Sequence, residues 1–217
     1  MQNVAMKTLK SLQELLFPIR CIGCSQLGIE ICSFCRRNWH PHIFRTSTHS
    51  DPSIPIYSAI SYSPLASKVF LAAKEDGILQ AELLITNAIR HALEFCIREN
   101  SYGFLVPIPS RKSAVRLRGR QFIYEIAKRV STDTTIPTCE ILSHSRVIKD
   151  QSGLDASNRV INMSGALTAS RFIGGRAILI DDLVTTGATL SEGARALRAQ
   201  GITVSAAVTA CVAEPLR

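Results

Sequence analysis

The stretch "AILIDDLVTTGATL" (residues 177–190) runs from an apolar segment through two adjacent acids into a small polar cluster, and then resumes with helical composition. A short apolar run bounded in this way reads as a buried strand, and the Thr- and Gly-rich turn after it opens a helix. In an open α/β sheet, ligands bind beyond the carboxyl ends of the strands, where a helix N-terminus presents backbone N–H groups to an anion. Thr185, Thr186, Gly187, Ala188 and Thr189 make such a turn. Gly187 permits close backbone approach, and the three Thr hydroxyls add donors to the amides. Asp181 and Asp182 would repel the same anion, so they should face another part of the ligand. Vicinal hydroxyls are the natural target, because a carboxylate accepts charge-assisted hydrogen bonds from them. A ribose 5-phosphate satisfies the whole pattern. The alternative is an ordinary strand-to-helix connection in which Asp182 caps the helix, but capping needs only one acid.

The same alternation of element types extends outward from this stretch. "IYSAISY" (56–62), "GFLVPIP" (103–109), "PTCEIL" (137–142) and "ITVSAAVTACV" (202–212) read as strands. "PLASKVFLAAK" (64–74), "LQAELLITNAIRHALEFCIR" (79–98), "QFIYEIAKRV" (121–130) and "LSEGARALRAQ" (190–200) read as helices, the second with Leu84, Ala88, His91 and Phe95 at helical spacing. Strands alternating with helices imply an α/β fold with a mostly parallel sheet covered on both faces. Residues 143–162 are a polar stretch, and no internal repeat is visible.

The chain of 217 residues is 46% hydrophobic, long enough for one well-buried domain and a small appendage. No stretch approaches 18 uninterrupted apolar residues, and Lys10, Gln13 and Glu14 break the N-terminal segment into an amphipathic pattern unlike a signal peptide. A cytoplasmic protein with no membrane span is expected. The net charge of +8 suits a polyanionic ligand. Residues 101–160 hold ten basic and five acidic side chains, and Arg111, Lys112, Arg116, Arg118 and Arg120 fall within ten residues with no acid among them. Such a run is as consistent with anion binding beyond a strand end as with a solvated face.

Four of the seven cysteines form the pattern Cys21-x2-Cys24-x7-Cys32-x2-Cys35. Two such pairs can complete the tetrahedron of a structural Zn²⁺ site, although His40 or His42 could replace one thiol. Cys96, Cys139 and Cys211 sit in apolar settings and read as small buried hydrophobes. "RTSTHSDPSIP" (45–55) is a polar link, which divides the chain into a leader helix and zinc-binding module over 1–50 and a main domain over 51–217.

The acid pair and "TTGAT" turn resemble the phosphoribosyl pyrophosphate motif of type I phosphoribosyltransferases. The four-cysteine pairs after "LLFP", together with "LVPIPSRKSAVRLRGRQ" and "DQSGLDASNRVINMSGAL", resemble the ComF family of competence-associated, phosphoribosyltransferase-like proteins over almost the full length. At 118–122 that family reads Arg-Gly-Phe-Asn-Gln, whereas this chain has Arg118, Gly119, Arg120, Gln121 and Phe122. The resemblance implies that Asp181 and Asp182 hold the ribose 2′ and 3′ hydroxyls, that residues 185–189 cradle the 5-phosphate, and that Ser110 and Arg111 lie in the loop receiving pyrophosphate. It also implies that Arg146, Lys149, Gln151 and Arg159 belong to a loop closing over the ligand, with Mg²⁺ accompanying phosphoribosyl pyrophosphate. The resemblance leaves two readings open: a transferase of unidentified acceptor, with Asp181, Asp182, Arg146 and Lys149 as its catalytic residues, or a non-catalytic protein binding phosphoribosyl pyrophosphate or single-stranded DNA. The second would act in DNA uptake or processing, with an uptake helicase as a partner.

Overall fold

The computed structural model describes residues 18–49, 52–146, 156–171 and 174–213, with the backbone alone at 156 and 157. Its centre is a five-stranded sheet made from β1 (Phe44–Ser47), β2 (Pro55–Ser61), β3 (Phe104–Pro107), β6 (Gly175–Val184) and β7 (Ile202–Val212), in the order β1-β2-β7-β6-β3. The β2–β7, β7–β6 and β6–β3 pairs are parallel, and β1 is antiparallel to β2. The expected α/β fold with a mostly parallel sheet is therefore present.

Burial on both faces explains why the inner strands read as continuous apolar runs. Ile178 and Ile180 enter one hydrophobic core while Ala177 and Leu179 enter the other, as the two-residue period of a strand requires. On the first face lie α2 (Pro64–Lys74), α3 (Leu79–Glu99) and α5 (Phe122–Thr134). The second is covered by α7 (Ala188–Arg198) and by a small antiparallel pair, β4 (Leu142–His144) with β5 (Leu167–Ala169). Helix α2 begins with Ser63 accepting from the Ala66 N–H at 3.1 Å and Pro64 at its first position, a favourable start because the N–H that proline lacks would find no intrahelical acceptor there. Ile85, Ile89 and Leu93 of α3 are fully buried, each worth about 1.5–3 kcal/mol of apolar transfer.

Three elements depart from the sequence expectation. Residues 44–47, the last three of them within the expected polar link, form an edge strand whose alternate side chains are half-buried, so residues on both sides of position 50 share one sheet. The strand expected at 137–142 shrinks to a single parallel bridge between Leu105 and Thr138. Pro137 has no N–H to donate, and its carbonyl accepts from the Leu105 N–H at 2.8 Å before the chain turns away into β4. The polar stretch 143–162 contains much of α6 (Ala156–Met163), which carries an apolar face despite its polar composition. Two short helices complete the described elements, α1 (Ser33–Asn38) among the cysteines and α4 (Lys112–Arg118) in the basic segment, while the expected leader helix lies largely outside the described residues. No described helix is long and apolar enough to cross a membrane.

Candidate sugar-phosphate site and cysteine cluster

Because β3 and β6 are parallel neighbours, their carboxyl ends open at the same edge of the sheet, and the Ile108 N–H donates to the Ile180 carbonyl at 2.8 Å there. The loop after β3 and the turn after β6 consequently face one another across a cavity of about 400 Å³, a size that suits a small ligand. Ser110, Arg111, Asp181, Asp182, Thr185, Thr186, Gly187, Ala188 and Thr189 all line it. Lys74, Arg118, Phe122, His144 and Arg159 join them, so four cations face two acids and the cavity favours an anion.

Gly187 adopts φ 73°, a left-handed conformation that turns the strand into α7, and it stands at the helix start with no side-chain cap. The first-turn N–H groups of a helix lack intrahelical acceptors, and here the start of α7 lies at the cavity. Capping by Asp182 does not occur. Asp182 lies within β6 and pairs instead with the Lys74 ammonium, while the Asp181 carboxylate accepts the Asp182 N–H at 2.9 Å. Lys74 comes from the far end of α2, more than a hundred residues away, and no motif near it in the sequence announces this contact.

Burial pushes the Asp181 carboxyl up to about 7 against the pull of Lys74. Burial likewise brings the Lys74 ammonium down to about 8, partly offset by Asp181. The unfolded carboxyl titrates at 3.8, so between that pH and about 7 the folded chain keeps a proton that the unfolded chain has lost, and stability falls as pH rises. For Lys74 the unfolded value is 10.5, so stability recovers between about 8 and 10.5. Asp181→Asn should therefore raise the melting temperature at pH 7.5 while leaving it nearly unchanged at pH 4. Melting curves for variant and parent that run parallel across this range would remove the buried carboxyl as the cause.

Arg146 does not line the cavity; its guanidinium donates to the Asn162 and Ser164 carbonyls at 2.8 and 2.9 Å. Lys149 and Gln151 lie outside the described residues. The basic segment divides as well. Lys112 and Arg116 are exposed, but Arg118 pairs with Glu75 at 2.6 Å, and Arg120 pairs with Glu82 at 2.6 Å and Glu125 at 3.0 Å. A run without acids in sequence thus meets acids just after α2 and in α3 and α5 in space. Gln121, where the ComF pattern differs, accepts the Ser110 N–H at 3.3 Å and donates to Glu140 at 2.6 Å, bracing the loop beside the cavity. His144, which sequence reasoning did not single out, bonds the Pro109 carbonyl through Nε2 at 3.0 Å, and its buried Nδ1 has no hydrogen-bond partner among the described residues. Burial holds this imidazole below its usual value, in the neutral form.

The four sulfurs of Cys21, Cys24, Cys32 and Cys35 lie within 4.8 Å of one another and can hold one metal ion. A tetrahedral zinc site with Zn–S near 2.3 Å needs sulfurs about 3.8 Å apart, and Cys24 and Cys32 stand at 3.6 Å. His40 and His42 are not among the candidate ligands, and His42 packs edge-on against Phe44 at 5.4 Å. Cys96 and Cys211 are fully buried as expected, whereas Cys139 is half-buried.

The chain belongs to the phosphoribosyl transferase domain family, which its residues 77–215 match. No curated protein matches it. Among solved structures it is similar to UMP synthase of Leishmania donovani, with 19% identity over 57% of this chain and TM-score 0.35, and it spans 21% of that protein's length. Adenine phosphoribosyltransferase of Saccharomyces cerevisiae is 10% identical over 84% of this chain and 89% of its own, with TM-score 0.42. Orotate phosphoribosyltransferase of Aeropyrum pernix is 11% identical over 81% and 77%, with TM-score 0.39.

Proposed function

We propose that this chain binds phosphoribosyl pyrophosphate and is a phosphoribosyltransferase whose acceptor is unidentified. The observation that carries this reading is convergence: the acid pair, the "TTGAT" turn and the Ser110–Arg111 loop, from two different strands, open into one cationic cavity. In this reading the Asp181 and Asp182 carboxylates accept the ribose hydroxyls, and the turn from Thr185 to Thr189 donates amide and hydroxyl hydrogens to the 5-phosphate. Ser110, Arg111 and Arg118 face the pyrophosphate and stabilise the charge that grows on it as the bond from the anomeric carbon breaks and the acceptor attacks. Lys149 remains a residue of the closing loop, and Arg146 serves as that loop's anchor on the carbonyls of 162 and 164. The lining offers carboxylate, hydroxyl and backbone oxygens, which suit Mg²⁺; carried on the ligand's phosphates, the ion would help neutralise the leaving group. Calorimetric titration with Mg²⁺ and phosphoribosyl pyrophosphate should show one site. Pyrophosphate release with a panel of nucleobases separates a transferase from a binding protein, because release without any acceptor dependence would exclude transfer.

We further assign the cysteine cluster to one structural Zn²⁺ in a module that ends near residue 50. Reduced thiols and a phosphorylated sugar ligand both suit the cytoplasm.

The ComF-like pattern brings a second reading, single-stranded DNA binding in DNA uptake beside a helicase. Exposure of Lys112 and Arg116 on α4 supports it. Arg118 faces the cavity and Arg120 is taken by two carboxylates, so only the two exposed cations should contribute. Lys112→Ala with Arg116→Ala is expected to flatten the plot of log affinity against log salt by about 1.4, at about 0.7 counterions per contact. Fluorescence anisotropy over a salt series measures it, and an unchanged slope places any DNA contact elsewhere.

A further inference from the structure

Lys74 is the last residue of α2, and its ammonium is held against Asp182 while lying 5.5 Å from the Phe70 ring centroid and 5.7 Å from that of Phe122. Its side chain is 25% exposed, and that exposure is toward the cavity it lines. The residues on either side are held: Arg120 donates to the Ala73 backbone carbonyl at 3.0 Å, and Arg118 pairs with the Glu75 carboxylate at 2.6 Å. The basic segment thus fixes where Lys74 enters the site.

Asp182 pairs with the ammonium and the charge of Asp181 acts on it, as do Glu75 and the two cations Arg111 and Arg118 that line the same cavity. Resting on the reading above, Asp181 and Asp182 take the ribose hydroxyls, and Arg111 and Arg118 take the pyrophosphate. Their junction is the anomeric end of the sugar and the first phosphate of the leaving group. A lysine there has a flexible four-carbon stem and three rotatable donors, so it can release one anion and take another without moving the backbone. The geometry points to Lys74 as a ligand-binding residue for the leaving-group phosphate: Asp182 holds its ammonium in the free protein, and a pyrophosphate oxygen takes it once the ribose hydroxyls occupy the carboxylates.

A lysine that only neutralises the acids would affect every ligand alike, whereas this role separates phosphoribosyl pyrophosphate from ribose 5-phosphate, which lacks the leaving group. Titration of both ligands into the parent, Lys74→Met, Asp182→Asn and the double variant gives the ratio of the two affinities for each. Lys74→Met should lower that ratio by about tenfold or more relative to the parent, as expected for losing one hydrogen bond between charged groups. The double variant should show the same fall relative to Asp182→Asn, which keeps the comparison valid if Lys74→Met alone leaves an unpaired carboxylate that impairs folding. Lys74→Arg should restore part of the ratio. An unchanged ratio in both comparisons overturns the role of Lys74 while leaving the sugar-phosphate site intact. A parent that binds neither ligand overturns the site reading and this role together.

Discussion

Serine in place of Cys32 or Cys35 is expected to strip the protein of one zinc ion and to destabilise the whole chain, not only its first fifty residues. A module joined to the main domain only through the polar link at 45–55 would unfold by itself and spare that domain. The structure changes that expectation because the cysteine cluster is docked onto the main body. Leu65 and Leu84 pack against Ile31 and the buried thiols, and Lys68 donates to the Gly23 carbonyl at 2.7 Å. A Cβ on Gly23 would stand 2.5 Å from the Cys35 sulfur and 2.7 Å from Leu65, so the knuckle approaches as closely as a glycine allows. Trp39, just after α1, is buried in the main core and meets Phe70 edge-on at 6.4 Å, and Ile22 and Ile43 pack against the same core. Cys32 also caps α1, its sulfur accepting from the Cys35 N–H at 3.5 Å. Structural zinc supplies folding free energy directly, and withdrawing a buried Trp from a core costs about 3–5 kcal/mol by itself. A loss of at least about 3 kcal/mol is expected. Trp39 is the only tryptophan, so its fluorescence reports the module while far-ultraviolet circular dichroism reports the sheet and helices. Both denaturation midpoints should fall together. Elemental analysis finding no zinc in the parent protein, or a circular dichroism midpoint that does not move in the variant, would refute this.

Asparagine at both Asp181 and Asp182 is expected to abolish most affinity for phosphoribosyl pyrophosphate. Each carboxylate that accepts a sugar hydroxyl contributes about 1.5–3 kcal/mol through a charge-assisted bond. The two losses should not add, because Lys74 pairs with Asp182 and is drawn by Asp181 as well, so each substitution changes the charge that the other acid faces. Asp181→Asn alone should relieve the buried carboxyl and keep the fold more stable near neutral pH, so weaker binding in that variant cannot be ascribed to unfolding. Asp182→Asn removes a carboxylate that also anchors Lys74, so it should cost more affinity than Asp181→Asn. Calorimetry with phosphoribosyl pyrophosphate and with ribose 5-phosphate measures these differences. Equal affinity in the double variant and the parent would show that the acids do not hold the ribose.

Much of the fold was legible because its signals are local. The apolar runs at 177–180 and 202–212, the helical spacing across 79–98 and the glycine at 187 each act over a few residues, and they appear in the structure as β6, β7, α3 and the turn into α7. The paired cysteine spacing was legible for the same reason, since a short loop can close around one ion. The strand at 44–47 was hidden in a polar composition, because an edge strand needs only every second side chain to be half-buried and takes the rest of its stabilisation from backbone hydrogen bonds to β2.

By itself the amino-acid order determined the alternation of strands and helices, the cysteine cluster, and a turn chemically suited to a sugar phosphate. Only the tertiary structure decided how the charges are used. It joined Lys74 to Asp182, drew Arg118 and Arg120 out of an apparently free basic run onto Glu75 and Glu82, and left Lys112 and Arg116 exposed. The physical reason is range. Secondary structure and metal knuckles arise from neighbours in the chain, whereas an ion pair depends on which surfaces packing brings together, and its partners here are separated by between 38 and 108 residues of sequence.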